Sequence, residues 1–232
     1  MEIYLLRHGV TDWNSAFRIQ GDTDIPLNDI GRKMAVQTAE KLKEKGIAFE
    51  RVFSSPLSRA VETAKIVSGF EHVVTDERLK EMNFGHMEGQ SMKELNGIDP
   101  FVEYFKNDCL KYDIEAAKED DIESFASLIS SAADFMKSVI ESEELKKADA
   151  DFKKENGRDL RVLISGHGAM DQAVLFHVKR IESIADFWKS SLLGNCSIAV
   201  MDYNPENGLY TMKEENMVLF EESLKKLVPK LI

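Results

Sequence analysis

The chain has 232 residues, of which 43% are hydrophobic and 31% charged. That supplies apolar matter for a sizeable core and excludes a disordered or fibrous protein. Thirty basic against 41 acidic residues give a formal charge of -11, which disfavours nonspecific binding to nucleic acid or an anionic membrane, so any anion site must gather its own cations.

In chain order, Ile3–Leu6 reads as a buried strand that begins directly after Met1 and ends in Arg7-His8-Gly9. A cleaved leader would remove it, and no stretch approaches the ~20 apolar residues of a membrane span, so the expected location is cytoplasmic. Leu27–Lys45 carries Ile30, Met34, Thr38 and Leu42 at helical spacing. Arg51–Ser54 is a second strand, and Pro56–Val67 a helix with Ser55 as the expected N-cap and proline first. His72–Thr75 is a short third strand. From about residue 91 to 154 no strand pattern occurs; the stretch is rich in Glu, Asp, Lys and Ala, and Ile122–Leu145 has helical periodicity. It is expected to be a helical insertion within a single domain spanning 1–232, with Glu119-Asp120-Asp121 as a solvated helix start.

Leu160–Ser165, after the turn signal Asn156-Gly157, is the clearest strand, and a helix follows from about Met170. Ser197–Tyr203 and Leu209–Met212 flank a hairpin-type connection through Asn204-Pro205-Glu206-Asn207-Gly208. The alternation predicts an α/β fold, a mostly parallel central sheet with helices on both faces. The two cysteines, Cys109 and Cys196, lie far apart, which argues against a disulfide framework and fits a reducing compartment.

Two strands end in histidines, where open α/β sheets bind ligands. At the first, the Arg7 fork suits phosphate oxygens, neutral His8 is a competent nucleophile, and Gly9 lets the backbone approach closely. At the second, Gly166-His167-Gly168 opens a helix whose free N–H groups would face an anion. His72, His86 and His177 match no catalytic pattern and are expected at the surface or in packing, and no metal-ligand spacing is present. Phe101, Tyr104 and Phe105 have the spacing of an insertion core that could also shape a pocket.

The string Leu5-Leu6-Arg7-His8-Gly9-Val10-Thr11-Asp12-Trp13-Asn14 resembles the signature of the histidine phosphatase superfamily, the phosphoglycerate mutase-like fold. The likeness continues through Arg18-Ile19-Gln20-Gly21, Asp24, Pro26-Leu27-Asn28 and Gly31, with Met34 where Gln is common. It extends to Ser54–Ala64, Glu81–Gly89 and Val162–Met170. It implies that His8 is the nucleophile, that Arg7, Arg59 and His167 bind the phosphoryl oxygens, and that Glu81 is the general acid, in preference to Glu88. Asn14, Gln20, Gly21 and Gly168 would complete the substrate site, and Asn195 would support the His8 loop.

The reaction implied is metal-independent hydrolysis of a small phosphorylated metabolite through a phosphohistidine, with no cofactor. The alternatives are a phosphoglycerate mutase and a catalytically silent phospho-ligand binder. Gly168-Ala169-Met170-Asp171 departs from the continuation usual in mutases, and the acidic insertion lacks the basic residues expected around a substrate carboxylate.

Overall fold

The computed structural model describes residues 1–189 and 192–226. Six strands form one sheet in the order β3-β2-β4-β1-β5-β6. They are β1 (Glu2–Arg7), β2 (Arg51–Ser54), β3 (Val74–Thr75), β4 (Arg161–Gly166), β5 (Ile198–Asn204) and β6 (Leu209–Met217). Strands β1 to β4 run parallel, whereas β5 is antiparallel to β1 and β6 to β5. The fold is therefore the mixed α/β type expected.

The strands at the centre are apolar in nearly every position because both faces are covered. Ile3, Leu5, Val162, Ile164, Ala199 and Met201 belong to one core, together with Phe125, Leu128, Ala132 and Phe135 of helix α7 and most of α9. Tyr4, Leu6, Val52, Leu163, Ile198 and Val200 belong to the other, with Met34, Ala35 and Leu42 of α2 and Ala64 and Val67 of α3. The period-two alternation along β1 thus divides one strand between two cores.

The helices in chain order are α1 (Asp12–Ser15), α2 (Asp29–Glu44), α3 (Ser58–Ser68), α4 (Met92–Leu95), α5 (Pro100–Asn107), α6 (Cys109–Ala116), α7 (Phe125–Phe135), α8 (Glu143–Asn156), α9 (Gly168–Val178) and α10 (Glu222–Lys225). Between β3 and β4 the described backbone is helix and turn, including a π-turn at Met136–Ile140. The periodic run 122–145 is consequently divided: α7 passes into the π-turn, and Ser142 caps a new helix by accepting the Leu145 N–H.

Two local expectations are corrected. Helix α3 starts at Ser58 and not Pro56, and Ser55 is not its cap. The Ser55 hydroxyl accepts from Leu57 N in a local turn, while Asp24, from a distant loop, accepts both Ser58 N (2.8 Å) and Ser58 Oγ (2.7 Å). The acidic run 119–121 starts no helix either; Ser124 caps α7. Asp121 instead lies 3.1 Å from His86 Nδ1, and Asp99, the N-cap of α5, lies 2.9 Å from His86 Nε2. His86 is therefore a clasp between the 3₁₀ turn Gly85–Met87 and the helical region.

Candidate active site

Placing β4 between β1 and β2 brings three parallel carboxyl ends together, the position where such sheets bind ligands. Arg7 is in register with Gly166, and His8 N donates to the Gly166 carbonyl at 3.1 Å. The two loops therefore leave the sheet side by side, and the His8 and His167 rings lie 5.1 Å apart between centroids. From β2 the chain turns into α3, whose second residue is Arg59.

Hydrogen bonds assign each ring its tautomer. His8 Nδ1 lies 2.6 Å from the Gly9 carbonyl and must donate to it, leaving the lone pair on Nε2. Arg59 Nε donates to His167 Nδ1 at 3.2 Å, so His167 carries its proton on Nε2, which is buried and has no partner. Burial pulls both imidazoles well below their ordinary pKa, and the nearby Arg59 and Arg7 charges add to the effect. His8 is thus neutral with an open lone pair on Nε2, and His167 is a neutral donor through Nε2.

Arg59 is wholly buried and fixed by donating Nη1 to Thr23 O (2.9 Å) and Nη2 to Gly21 O (2.6 Å). Gln20 turns its amide nitrogen to Thr11 and its oxygen to Arg59, 3.3 Å from Nη1 and 2.7 Å from Nε, whose single hydrogen it shares with His167 Nδ1. Arg7 donates Nη1 to Leu193 O at 2.6 Å, and its Nε is buried without a partner. Burial lowers the pKa of both guanidiniums, that of Arg59 to about 10. Desolvated cations with unspent donors are what an anion-binding pocket requires.

Glu81 corrects one expectation about this end of the sheet. The first N–H groups of α9 are occupied by a carboxylate of the protein itself: Glu81 Oε1 accepts from Ala169 N (3.1 Å) and Met170 N (3.1 Å), and also from Met82 N (3.0 Å). Burial raises the Glu81 pKa, while these N–H groups and both arginines oppose the rise. Gly168 lies flush beside this pair, since a Cβ there would come within 3.3 Å of Arg7 Nη2 and 3.5 Å of Glu81 Oε2.

The remaining expected residues divide into those that face the cavity and those behind it. Asn14 and Gln20 line the cavity together with Arg7, Glu81 and Gly168. Asn14 uses Oδ1 to accept from Thr11 N and Asn195 Nδ2, leaving its own Nδ2 donors available. Gly21 does not line the cavity. It stands behind Arg59, packed so closely that a Cβ would lie 2.2 Å from Glu88 Oε1. Glu88 accepts from Asp22 N, Thr23 N and Phe84 N, which ties two loops together and leaves Glu81 as the carboxyl facing the cavity.

Sequence reasoning passed over Thr63 and Asp171. Thr63 Oγ1 accepts from Gly9 N at 3.0 Å and donates to Arg59 O, linking the two motifs; its place four residues after Arg59 was the available signal. Asp171 is buried with neither oxygen partnered, and burial pushes its pKa well above the carboxylate range. Among the described residues, no three His, Cys, Asp or Glu side chains cluster as metal ligands would.

The His8 loop is also held from β5's side. Asn195 Nδ2 donates to His8 O (3.1 Å), and Cys196 N donates to Arg7 O (3.1 Å). Cys196 adopts a φ of 55°, a conformation that costs a non-glycine residue about 1–3 kcal/mol. Asn195→Ala is expected to lower kcat by about 10- to 100-fold through loss of alignment. KM should change little, as steady-state kinetics will show.

Comparison with known proteins agrees with this geometry. The model of the histidine phosphatase superfamily (branch 1) matches residues 3–215. The chain belongs to that superfamily. Phosphoglycerate mutase-like protein 4 of Arabidopsis thaliana is 45% identical over 103 residues, 43% of this chain and 44% of that protein. The protein named "Probable phosphoglycerate mutase GpmB" of Proteus mirabilis (strain HI4320) is 42% identical over 98 residues, 41% of this chain and 45% of its own length. The chain thus spans less than half the length of the curated relatives it matches. Among solved structures, a phosphoserine phosphatase of Entamoeba histolytica, in complex with phosphoserine, superposes with a TM-score of 0.69 at 26% identity, over 94% of this chain and 97% of that one. Bacillus stearothermophilus YhfR gives a TM-score of 0.71 at 25% identity over 93% and 97%. Among the described residues, no helix is long and apolar enough to cross a membrane.

Proposed function

We propose that this member of the superfamily is a phosphomonoesterase that works through a phosphohistidine at His8. The observation that carries the reading is the His8 ring itself: neutral, with Nδ1 committed to Gly9 O and Nε2 left as the nucleophile, beside two buried guanidiniums. In the proposed cycle, Arg7, Arg59 and the His167 Nε2–H hold the three equatorial phosphoryl oxygens. His8 Nε2 attacks phosphorus in line, the bond to the ester oxygen breaks, and Glu81 gives its proton to that oxygen. Water then attacks the phosphohistidine, Glu81 takes a proton from it, and inorganic phosphate leaves. Fixed cations stabilise the spreading charge without reorganising as the reaction proceeds.

A mutase would return the phosphoryl group to its product instead of passing it to water. Hydrolysis is favoured because the cavity beyond the reacting end is mostly apolar, with Arg18 the cation added to its lining there. The identity of the Entamoeba protein as a phosphoserine phosphatase supports the same direction. The test is phosphate release from p-nitrophenyl phosphate in excess chelator. Turnover on the order of 1–100 per second is expected, within the ordinary enzymic range. Phosphoryl exchange between phosphoglycerates, dependent on a bisphosphoglycerate and without phosphate release, would contradict it.

A further inference from the structure

The cavity that receives Arg7, Asn14, Gln20 and Glu81 at one end continues between the 3₁₀ turn Gly85–Met87 and helices α4 and α5. Resting on the phosphatase reading above, we propose that its substrate is a phosphomonoester with an apolar alcohol portion. Phe84, Met87, Met92, Phe101, Phe105 and Trp188 receive that portion, and hydroxyl-rich esters are disfavoured.

The wall is a packed aromatic assembly and not a set of loose side chains. Phe105 meets Phe84 edge-on at 5.3 Å and Trp188 edge-on at 4.9 Å, and is stacked on Phe125 behind it at 5.6 Å. Such a wall is preformed, so little ordering opposes the entry of an apolar group.

The indole N–H among the aromatics is already committed, and the cation of the lining, Arg18, is an exposed side chain tethered at one nitrogen. Trp188 Nε1 donates to Phe105 O at 2.9 Å, and Arg18 Nη1 donates to Gly89 O. A glycerol-like portion would shed water against the aromatic wall and find few partners there, whereas an alkyl or aryl portion would lose nothing by leaving water. The reacting end keeps Asn14 and Gln20 for the phosphate side. Phe101 and Phe105, expected as an insertion core that could also shape a pocket, are both core and cavity wall.

The test compares 2-phenylethyl phosphate with glycerol phosphate. Each expels a primary alkoxide, so leaving-group chemistry does not bias the result. The wild-type protein is expected to favour the phenylethyl ester by at least about tenfold in kcat/KM, the size of effect that burying a few methylenes gives. Met92→Asp should reduce that preference at least about threefold, because it sets a carboxylate in the wall. Met92 is only partly buried at the start of the short helix α4, so the fold should survive the substitution, and thermal melting of the variant checks this.

Binding of the same esters to His8→Ala, read by calorimetry, needs no turnover and should show the same preference. Equal hydrolysis with equal binding overturns the apolar assignment and leaves the phosphatase reading standing. Tighter binding of the phenylethyl ester, with neither ester hydrolysed, upholds the assignment and overturns the phosphatase reading instead.

Discussion

His8→Ala is expected to lower phosphate release by at least about 10⁴-fold, the scale on which loss of a nucleophile is felt. The fold should survive. In the free protein the ring is neutral, so its removal breaks no ion pair, and the Gly9 carbonyl it leaves keeps Asn195 Nδ2 at 3.4 Å. Losing one neutral hydrogen bond costs about 1 kcal/mol, a fall of about 2–4 °C in Tm for a chain of this size. Phosphate release and thermal melting together check the prediction. A variant that melts normally yet hydrolyses aryl phosphate at near wild-type rate would remove His8 from the mechanism.

Glu81→Gln is the second substitution of large expected effect. Loss of general acid catalysis costs about 10²–10⁴-fold, but the full loss should appear only with alkyl phosphates. Nitrophenolate departs without a proton, so p-nitrophenyl phosphate should be slowed less in the step that breaks its ester bond. The glutamine oxygen can still accept from Ala169 and Met170, which preserves the start of α9. Equal slowing of both esters in single-turnover measurements would assign the proton to another group.

The pH profile follows from two opposite shifts. Because His8 is held well below its ordinary pKa, the nucleophile stays neutral and active at pH values where an ordinary imidazole would be protonated. Because burial raises Glu81, the acid stays protonated above the usual carboxyl range, and the rate falls as pH rises through its pKa. Wild-type activity should therefore be greatest between those two values. For stability the sign is the same for the carboxyl: a raised folded-state pKa stabilises at low pH, and the contribution is lost as pH rises through it. Glu81→Gln removes that loss, together with the basic limb of the rate profile.

The part of this site that sequence exposes is the part carried by short contiguous strings. Arg7-His8-Gly9 and Gly166-His167-Gly168 each follow a strand that is buried on both faces, and such strands read as unbroken apolar runs. Arg59 is found for a similar reason, close to the end of β2. What stays hidden is pairing between distant positions. Asp24 caps α3 across 34 residues, and Glu81 occupies the N-terminus of α9 across 88. No local pattern announces either contact.

The same reason explains the acidic run, where Asp121 serves His86 and not a helix. Strand β6 continues to Met217 beyond the expected Met212; the apolar pattern ends early because Lys213, Glu214 and Glu215 follow. It is an exposed edge strand, and charge is common on such edges.

The central claim is that phosphorus is transferred to His8, and the most direct test is to look for it there. Glu81→Gln should accumulate the intermediate from p-nitrophenyl phosphate, since release of nitrophenolate needs no acid while water attack still lacks its base. Alkaline quenching, which preserves phosphohistidine, followed by peptide mass spectrometry should find phosphate on the peptide that contains His8. Phosphate on a different side chain, or turnover with no phosphorylated peptide at any quench time, would contradict the account.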